Sequence, residues 1–204
     1  MFKHSRAARV RQPQSGVSPA GLFRPKRSPT MKYFRYGLIA LLALLLALFG
    51  LAALKSSTWT AEGVLVIEAA PDKVLPFVAT PRHWLEWDPW TDPSDAGWAS
   101  SYAGPESGAG ARLSWKTDTR RGELEVLSAS TAEGVRYRLD IDGMPGAGEF
   151  RFEPYGDQTR VRWRYSGDVG WNPALRYMIP LMQGSLQATM QKGLGKLRER
   201  VKAG

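Results

Sequence analysis

The sequence predicts an α+β domain, a curved antiparallel sheet closed by one long C-terminal helix, carried behind an N-terminal transmembrane helix. Three observations predict it. An eighteen-residue run, Gly37 to Leu54, has no charged or polar side chain. Five consecutive segments then alternate apolar and polar residues and are joined by short polar turns. The last segment, about 172–202, repeats apolar residues at steps of three and four.

The apolar run reads GLIALLALLLALFGLAAL. At helical rise it spans roughly 27 Å, close to the hydrocarbon thickness of a bilayer. Tyr33, Phe34 and Tyr36 precede it, where aromatic rings favour the membrane interface, and Lys55 ends it. Residues 1–36 hold nine Lys or Arg and no acid, against one cation immediately after the run. That asymmetry puts the N-terminus in the cytoplasm and the domain on the periplasmic or extracellular side of the inner membrane. A cleaved signal peptide is the competing reading, since Gly50-Leu51-Ala52 offers small residues. The run is longer than an ordinary signal core. Met31 is an alternative start, because MKYFRYG and the run make a complete signal-anchor. The organisation is therefore a basic disordered tail 1–36 (1–30 a possible extension), a transmembrane helix 37–54, a linker 55–57 and a domain 58–204.

The net charge of +9 lies in the tail. From residue 37 onward basic and acidic residues balance at 19 each. The domain thus has no basic excess and no nucleic-acid signature. With no cysteine in the chain, disulfides, thiolate chemistry and cysteine-built metal sites are excluded.

Residues 58–68 read as a first strand. Ala70-Pro71-Asp72 opens a short helix that Pro76 and Pro81 keep short. A second short helical piece, about 81–86, leads into Trp84, Trp87 and Trp90. Residues 91–110 read as a long loop. The alternating strands are 111–117, 122–129, 134–142, 148–154 and 159–168, six strands in all. Their turns include Gly143-Met144-Pro145-Gly146. On the wet face Arg160, Arg162 and Arg164 are expected to pair with Glu149 and Glu153. Asn172-Pro173 starts the last helix as cap and first helical residue. Its stripe is Leu175, Met178, Ile179, Met182, Leu186, Met190, Leu194, Leu197 and Val201. Pro180 is expected to kink or split it.

Few residues carry recognisable chemistry. His83 reads as an exposed or capping helix residue, and no catalytic triad can be assembled around it. Asp88, Asp92 and Asp95 read as turn chemistry beside Pro89 and Pro93, with no metal-loop spacing. Gly104–Gly110 lacks the ending of a phosphate loop. No catalytic residue, metal ligand or cofactor is assigned.

The block VLVIEAAPDKVLPFVATPRHWLEWDPW (64–90), the hairpin FRFEPYGDQTRVRWRYSGD (150–168) and the element order resemble the START-like polyketide cyclase/dehydrase and lipid-transfer superfamily (SRPBCC), the helix-grip fold. The resemblance covers about 58–204, and the membrane anchor matches a recurrent bacterial variant. It implies a hydrophobic cavity between sheet and terminal helix, and a hydrophobic small molecule or lipid as partner. On that fold Trp115, Tyr137, Phe150, Phe152, Trp163 and Tyr165 fill the core or line the cavity. Met182, Leu186 and Met190 face them from the helix. Trp87 and Trp90 are placed at the mouth, with Asp88 closing their turn and Tyr102 at the rim. Members bind, transport or transform different ligands. Three functions are therefore weighed: a ligand-binding module, a cyclase or dehydrase, and a protein-interaction domain with a filled core.

Overall fold

The structure is a computed structural model and describes residues 29–204, with side chains from Lys32. Of the segment 1–36 read above as a disordered tail, the part before Pro29 lies outside the described residues, and the part from Pro29 onward is helical. The chain divides into two compact units at Leu44/Leu45.

The apolar run forms α1, Pro29–Ala53. Its stretch Lys32–Ala53 is long and apolar enough to cross a membrane, and its leucines are exposed. An exposed apolar helix near the N-terminus is either a membrane anchor or a signal sequence.

The second unit holds the α+β domain. Its strands are β1 (Thr58–Ile67), β2 (Ala99–Ala103), β3 (Arg112–Lys116), β4 (Arg121–Ser130), β5 (Gly134–Ile141), β6 (Met144–Tyr155) and β7 (Gln158–Asp168). They form one antiparallel sheet in the order β1-β7-β6-β5-β4-β3-β2. The sheet has seven strands where the sequence suggested six. The extra one, β2, lies inside the segment read as loop. Its residues ASSYA are all exposed, so it carries no apolar alternation to announce it. It pairs with β3 along one edge of the sheet.

The β5–β6 turn is also tighter than expected. Asp142 (φ 57°) and Gly143 (φ 80°) form a two-residue turn, and Ile141 pairs directly with Met144. Two positive φ values match the right-handed twist of a hairpin. The Asp140 carboxylate accepts from Gly143 N at 2.8 Å, and Asp142 accepts from Arg121 N at 2.9 Å. Met144 and Pro145 therefore belong to β6. A bulge between Val126 and Ser128 leaves Leu127 unpaired and exposed. Such an extra residue bends and twists its strand.

Strand alternation turns one face inward. Leu124 and Val126, Val135, Tyr137 and Leu139, Phe150, and Val161 and Trp163 are all buried there. The other face carries paired charges. Glu62 on β1 takes Arg162 at 2.8 Å and Arg164 at 2.9 Å, and Glu153 takes Arg162 at 3.2 Å and Arg160 at 3.7 Å. Glu149 pairs with Arg151 at 2.7 Å. The arginine stripe thus pairs with Glu62 and Glu153, and Glu149 takes a neighbour on its own strand. Such exposed pairs contribute about 0–1 kcal/mol each.

Two short helices, α2 (Pro71–Ala79) and α3 (Pro81–Trp84), follow β1. The closing helix α4 runs Pro173–Ala203 as one unbroken helix, so Pro180 does not split it. The Asn172 carboxamide accepts from Ala174 N and Leu175 N, capping its first turn. Met190, Gly193, Leu194, Leu197 and Val201 bury its C-terminal half. In the N-terminal half only Ile179 is buried; Leu175 and Met178 are exposed, and Met182 and Leu186 are half-buried. The stripe read from the sequence is therefore core only over its second half. Beside β1, the Gln183 amide donates to Thr60 O at 2.9 Å and the Gln191 amide to Val64 O at 3.2 Å.

Candidate functional site

The inward face is aromatic. Tyr137 comes from β5, Phe150 from β6, and Trp163 and Tyr165 from β7. Trp84 closes α3, and Trp87 follows one turn later on the same side, since residues three apart share a helix face. Their rings interlock. Trp84 meets Tyr137 edge-on at 4.8 Å and Trp87 at 5.0 Å. Trp87 meets Trp163 edge-on at 5.5 Å, and Phe150 stacks on Trp163 at 5.1 Å. Trp90 extends the group over Trp163 at 5.5 Å and Tyr165 at 5.7 Å, and Trp59 meets Tyr165 at 5.1 Å.

The polar tips of these rings are satisfied inside the protein. Trp84 Nε1 donates to Val78 O at 3.0 Å and Trp87 Nε1 to Phe77 O at 3.0 Å, which ties both rings to α2. Trp163 Nε1 donates to the Tyr137 hydroxyl at 2.7 Å. Burial raises the Tyr137 phenol well above its ordinary pKa and pushes Tyr165 up to about 12, so both stay neutral. Two glycines permit the packing. A Cβ on Gly148 would enter the Tyr137 ring, which lies across its backbone. A Cβ on Gly193 would come within 3.0 Å of Pro89 and 3.1 Å of Trp163, so glycine lets α4 press on both.

Among the described residues, Asp88 is the one buried acid. It is buried between Trp87 and Trp90, and its Oδ2 accepts from Trp90 N at 3.1 Å, closing the turn. Its Oδ1 has no hydrogen-bond partner among the described residues. Burial pushes its pKa to about 7, with the Trp90 N–H and the nearby Thr91 hydroxyl and N–H pulling the other way, although the Thr91 hydroxyl donates to Trp84 O at 3.1 Å. A carboxyl titrating near neutrality can hold either a donor or an acceptor, and proton transfer requires the same property.

Of the residues singled out from sequence, Trp87, Trp90, Tyr137, Phe150, Trp163 and Tyr165 meet in this cluster. Trp87 is wholly buried, and Trp90 is half-buried at its margin. Phe152 and Met190 are buried in the same core, and Leu186 packs on it half-exposed. Trp115 is buried in that core too, its ring over Gly122 on β4, but it makes no ring contact with the cluster among the described residues. Met182 is half-buried on α4 outside the core cluster. Trp84 and Trp59 are cluster members that the sequence reading did not choose. The helical spacing of Trp84 and Trp87 was the available signal for the first.

Other candidates have local roles. His83 Nδ1 donates to Pro76 O at 3.2 Å, fastening α3 to α2. Asp92 accepts from Ser94 N at 2.9 Å and Ser94 Oγ at 2.7 Å, a turn contact. Tyr102 sits on β2 with the Arg82 guanidinium 4.5 Å from its ring centre. An open cleft of about 540 Å³ lies among Arg136, Glu149 and Arg151 on the charged face, away from the aromatic cluster.

An antiparallel sheet gripping a C-terminal helix, with an aromatic face between them, defines the helix-grip class. The chain belongs to the polyketide cyclase/dehydrase and lipid transport family, which matches residues 58–202. That family is the hydrophobic-ligand-binding SRPBCC group. No curated protein matches the chain. Among solved structures it is similar to TTHA0849 from Thermus thermophilus, at 20% identity and TM-score 0.52, over 71% of this chain and 97% of that one. It is similar to Ara h 8.0201, at 11% identity and TM-score 0.52, over 72% and 99%. It is also similar to MLL2253 from Mesorhizobium loti, at 16% identity and TM-score 0.51, over 72% and 97%. At these identities the likeness establishes the fold.

Proposed function

We propose that this chain is a membrane-anchored helix-grip domain that takes up a hydrophobic small molecule or lipid between its sheet and α4. In this reading α1 spans the inner membrane, its N-terminal side is cytoplasmic, and the domain stands on the periplasmic or extracellular side. The aromatic residues from Trp87 to Tyr165, with Met182, Leu186 and Met190 on α4, form the ligand's surroundings. The observation that carries it is the unpartnered Asp88 Oδ1 among aromatic rings. A buried polar atom without a partner costs about 1–3 kcal/mol. An apolar ligand bearing one hydroxyl or amide would satisfy it.

Trp90 is the piece that moves. It gives up two ring contacts, each worth about 0.5–1.5 kcal/mol. A ligand burying about 200 Å² of apolar surface gains roughly 5 kcal/mol, which exceeds that loss. A second reading is favoured by the complete burial of Trp84, Trp87 and Trp163. There the interior is already full and the domain serves as a protein-interaction module.

Native mass spectrometry of the full-length chain, released from the membrane of its host, separates the two. A discrete added mass, lost on Asp88→Leu with the fold retained, supports ligand binding. A chain without adduct, whose tryptophan emission is unmoved by long-chain alcohols, leaves the filled-interior reading standing.

A further inference from the structure

The first half of α4 presents an apolar stripe that none of the described residues covers. Leu175, Met178 and Leu181 follow at steps of three, exposed at 39%, 49% and 70%, and Trp171 just before the helix is 76% exposed. Large exposed apolar patches mark interaction sites. The surroundings of this one identify what covers it.

The end of α1, from Leu45 onward, belongs to the same compact unit as the domain. Its last carbonyls have no partners within the helix, as at any helix end. Arg176 supplies them. Its Nη1 donates towards Ala52 O (3.3 Å), Ala53 O (3.4 Å) and Lys55 O (3.2 Å), while its Nε donates to Gly170 O at 3.0 Å. One residue on, the Tyr177 hydroxyl donates to Leu48 O at 2.9 Å. Leu48 lies five residues before Ala53, roughly 7 Å along the helix axis. The first turns of α4 therefore run at the depth of the last turns of α1.

The local composition fits a bilayer boundary. Lys55 stands over the Tyr177 ring at 5.3 Å, and Arg176 over the Trp171 ring at 5.3 Å. Tryptophan, tyrosine and long cationic side chains concentrate at the headgroup level, with apolar side chains below.

We infer that the Trp171–Leu181 face of α4 is embedded in the boundary layer of the bilayer that α1 crosses. The inference rests on α1 being in the membrane. The domain is thereby seated on the lipid surface with the start of its closing helix in the acyl chains, so a lipid can pass to the aromatic face without crossing water.

The chain has no cysteine, so single labels are unambiguous. The full-length protein is reconstituted in phosphatidylcholine vesicles, with and without bromine on the acyl chains. An environment-sensitive fluorophore is attached in turn to Met178→Cys, Leu181→Cys, Leu46→Cys and Tyr155→Cys. All four sites are exposed, so packing is retained, and the unchanged far-ultraviolet spectrum verifies it. Labels at 178 and 181 are expected to be quenched by brominated chains nearly as strongly as the label at 46. The label at 155, at the opposite end of the sheet from Thr58, is expected to be quenched several-fold less. Quenching at 46 with labels at 178 and 181 resembling 155 overturns the inference and leaves the anchor intact. No quenching at 46 removes the anchor and the inference together. Labels at 178 and 181 shielded from aqueous iodide but blind to bromine, increasingly so at higher protein-to-lipid ratio, mean that a second copy covers the face and also overturn it.

Discussion

At Asp88, burial and charge oppose each other. Its pKa in the folded chain is about 7, above the ordinary 3.8. Below about pH 4 the folded and unfolded chains both hold the proton, and the carboxyl costs nothing. As pH rises towards 7 the unfolded chain releases the proton first, so stability falls by up to about 1.4 kcal/mol per pH unit. Above 7 the loss is constant. Asp88→Asn keeps an acceptor for Trp90 N and has no charge to bury. Urea unfolding should show it more stable than the parent at about pH 8, with the gain shrinking towards about pH 4. An equal difference at both pH values would contradict the raised pKa. Tyr137→Phe leaves the Trp163 indole N–H unpaired in a dry interior, and should cost about 1–3 kcal/mol in the same measurement. Gly148→Ala forces a methyl into the Tyr137 ring and should lower stability by at least about 1–3 kcal/mol.

At the scale of elements, α4 has two halves with different surroundings. Apolar spacing identifies which face of a helix is apolar and is silent about what covers that face. That is why the stripe from Leu175 to Val201 reads as continuous core, although before Met190 only Ile179 of the stripe is buried. The helix start was legible because Asn172 and Pro173 carry their own local chemistry. Asn172→Ala should cost about 1 kcal/mol, read as a lower midpoint in thermal unfolding. Strands β3 to β7 were legible from alternation. β2 was not, because Ala99–Ala103 has no buried face. The partner of Arg162 and Arg164 was also hidden, since Glu62 is about a hundred residues away and only the β1–β7 pairing brings it near. Arg176 closes the end of α1, a partnership across more than a hundred residues that nothing in its own helix announces. Arg176→Ala should speed proteolysis between Leu54 and Ser57, and Arg176→Lys should rescue little, because a single ammonium cannot span the carbonyls and Gly170 together.

For the whole molecule, the sequence carried the helix-grip architecture and the apolar N-terminal helix. It did not carry the arrangement of the aromatic site, because a tryptophan that fills a core and one that lines a cavity obey the same alternation. Trp115 and Phe150 were indistinguishable on sequence, and only packing separates them. If α1 is an anchor, the full-length chain should stay in the pellet when host membranes are washed with alkaline carbonate; recovery of intact chain in the supernatant would refute it. The two glutamines of α4 have a further consequence. An edge strand with free carbonyls is a template for another strand. Gln183 and Gln191 occupy the outward carbonyls of Thr60 and Val64, and α4 stands in front of them. Sheet-to-sheet polymerisation is thus blocked on the β1 side. A chain that extends this sheet must add to β2, a five-residue margin too short to hold a long fibre in register.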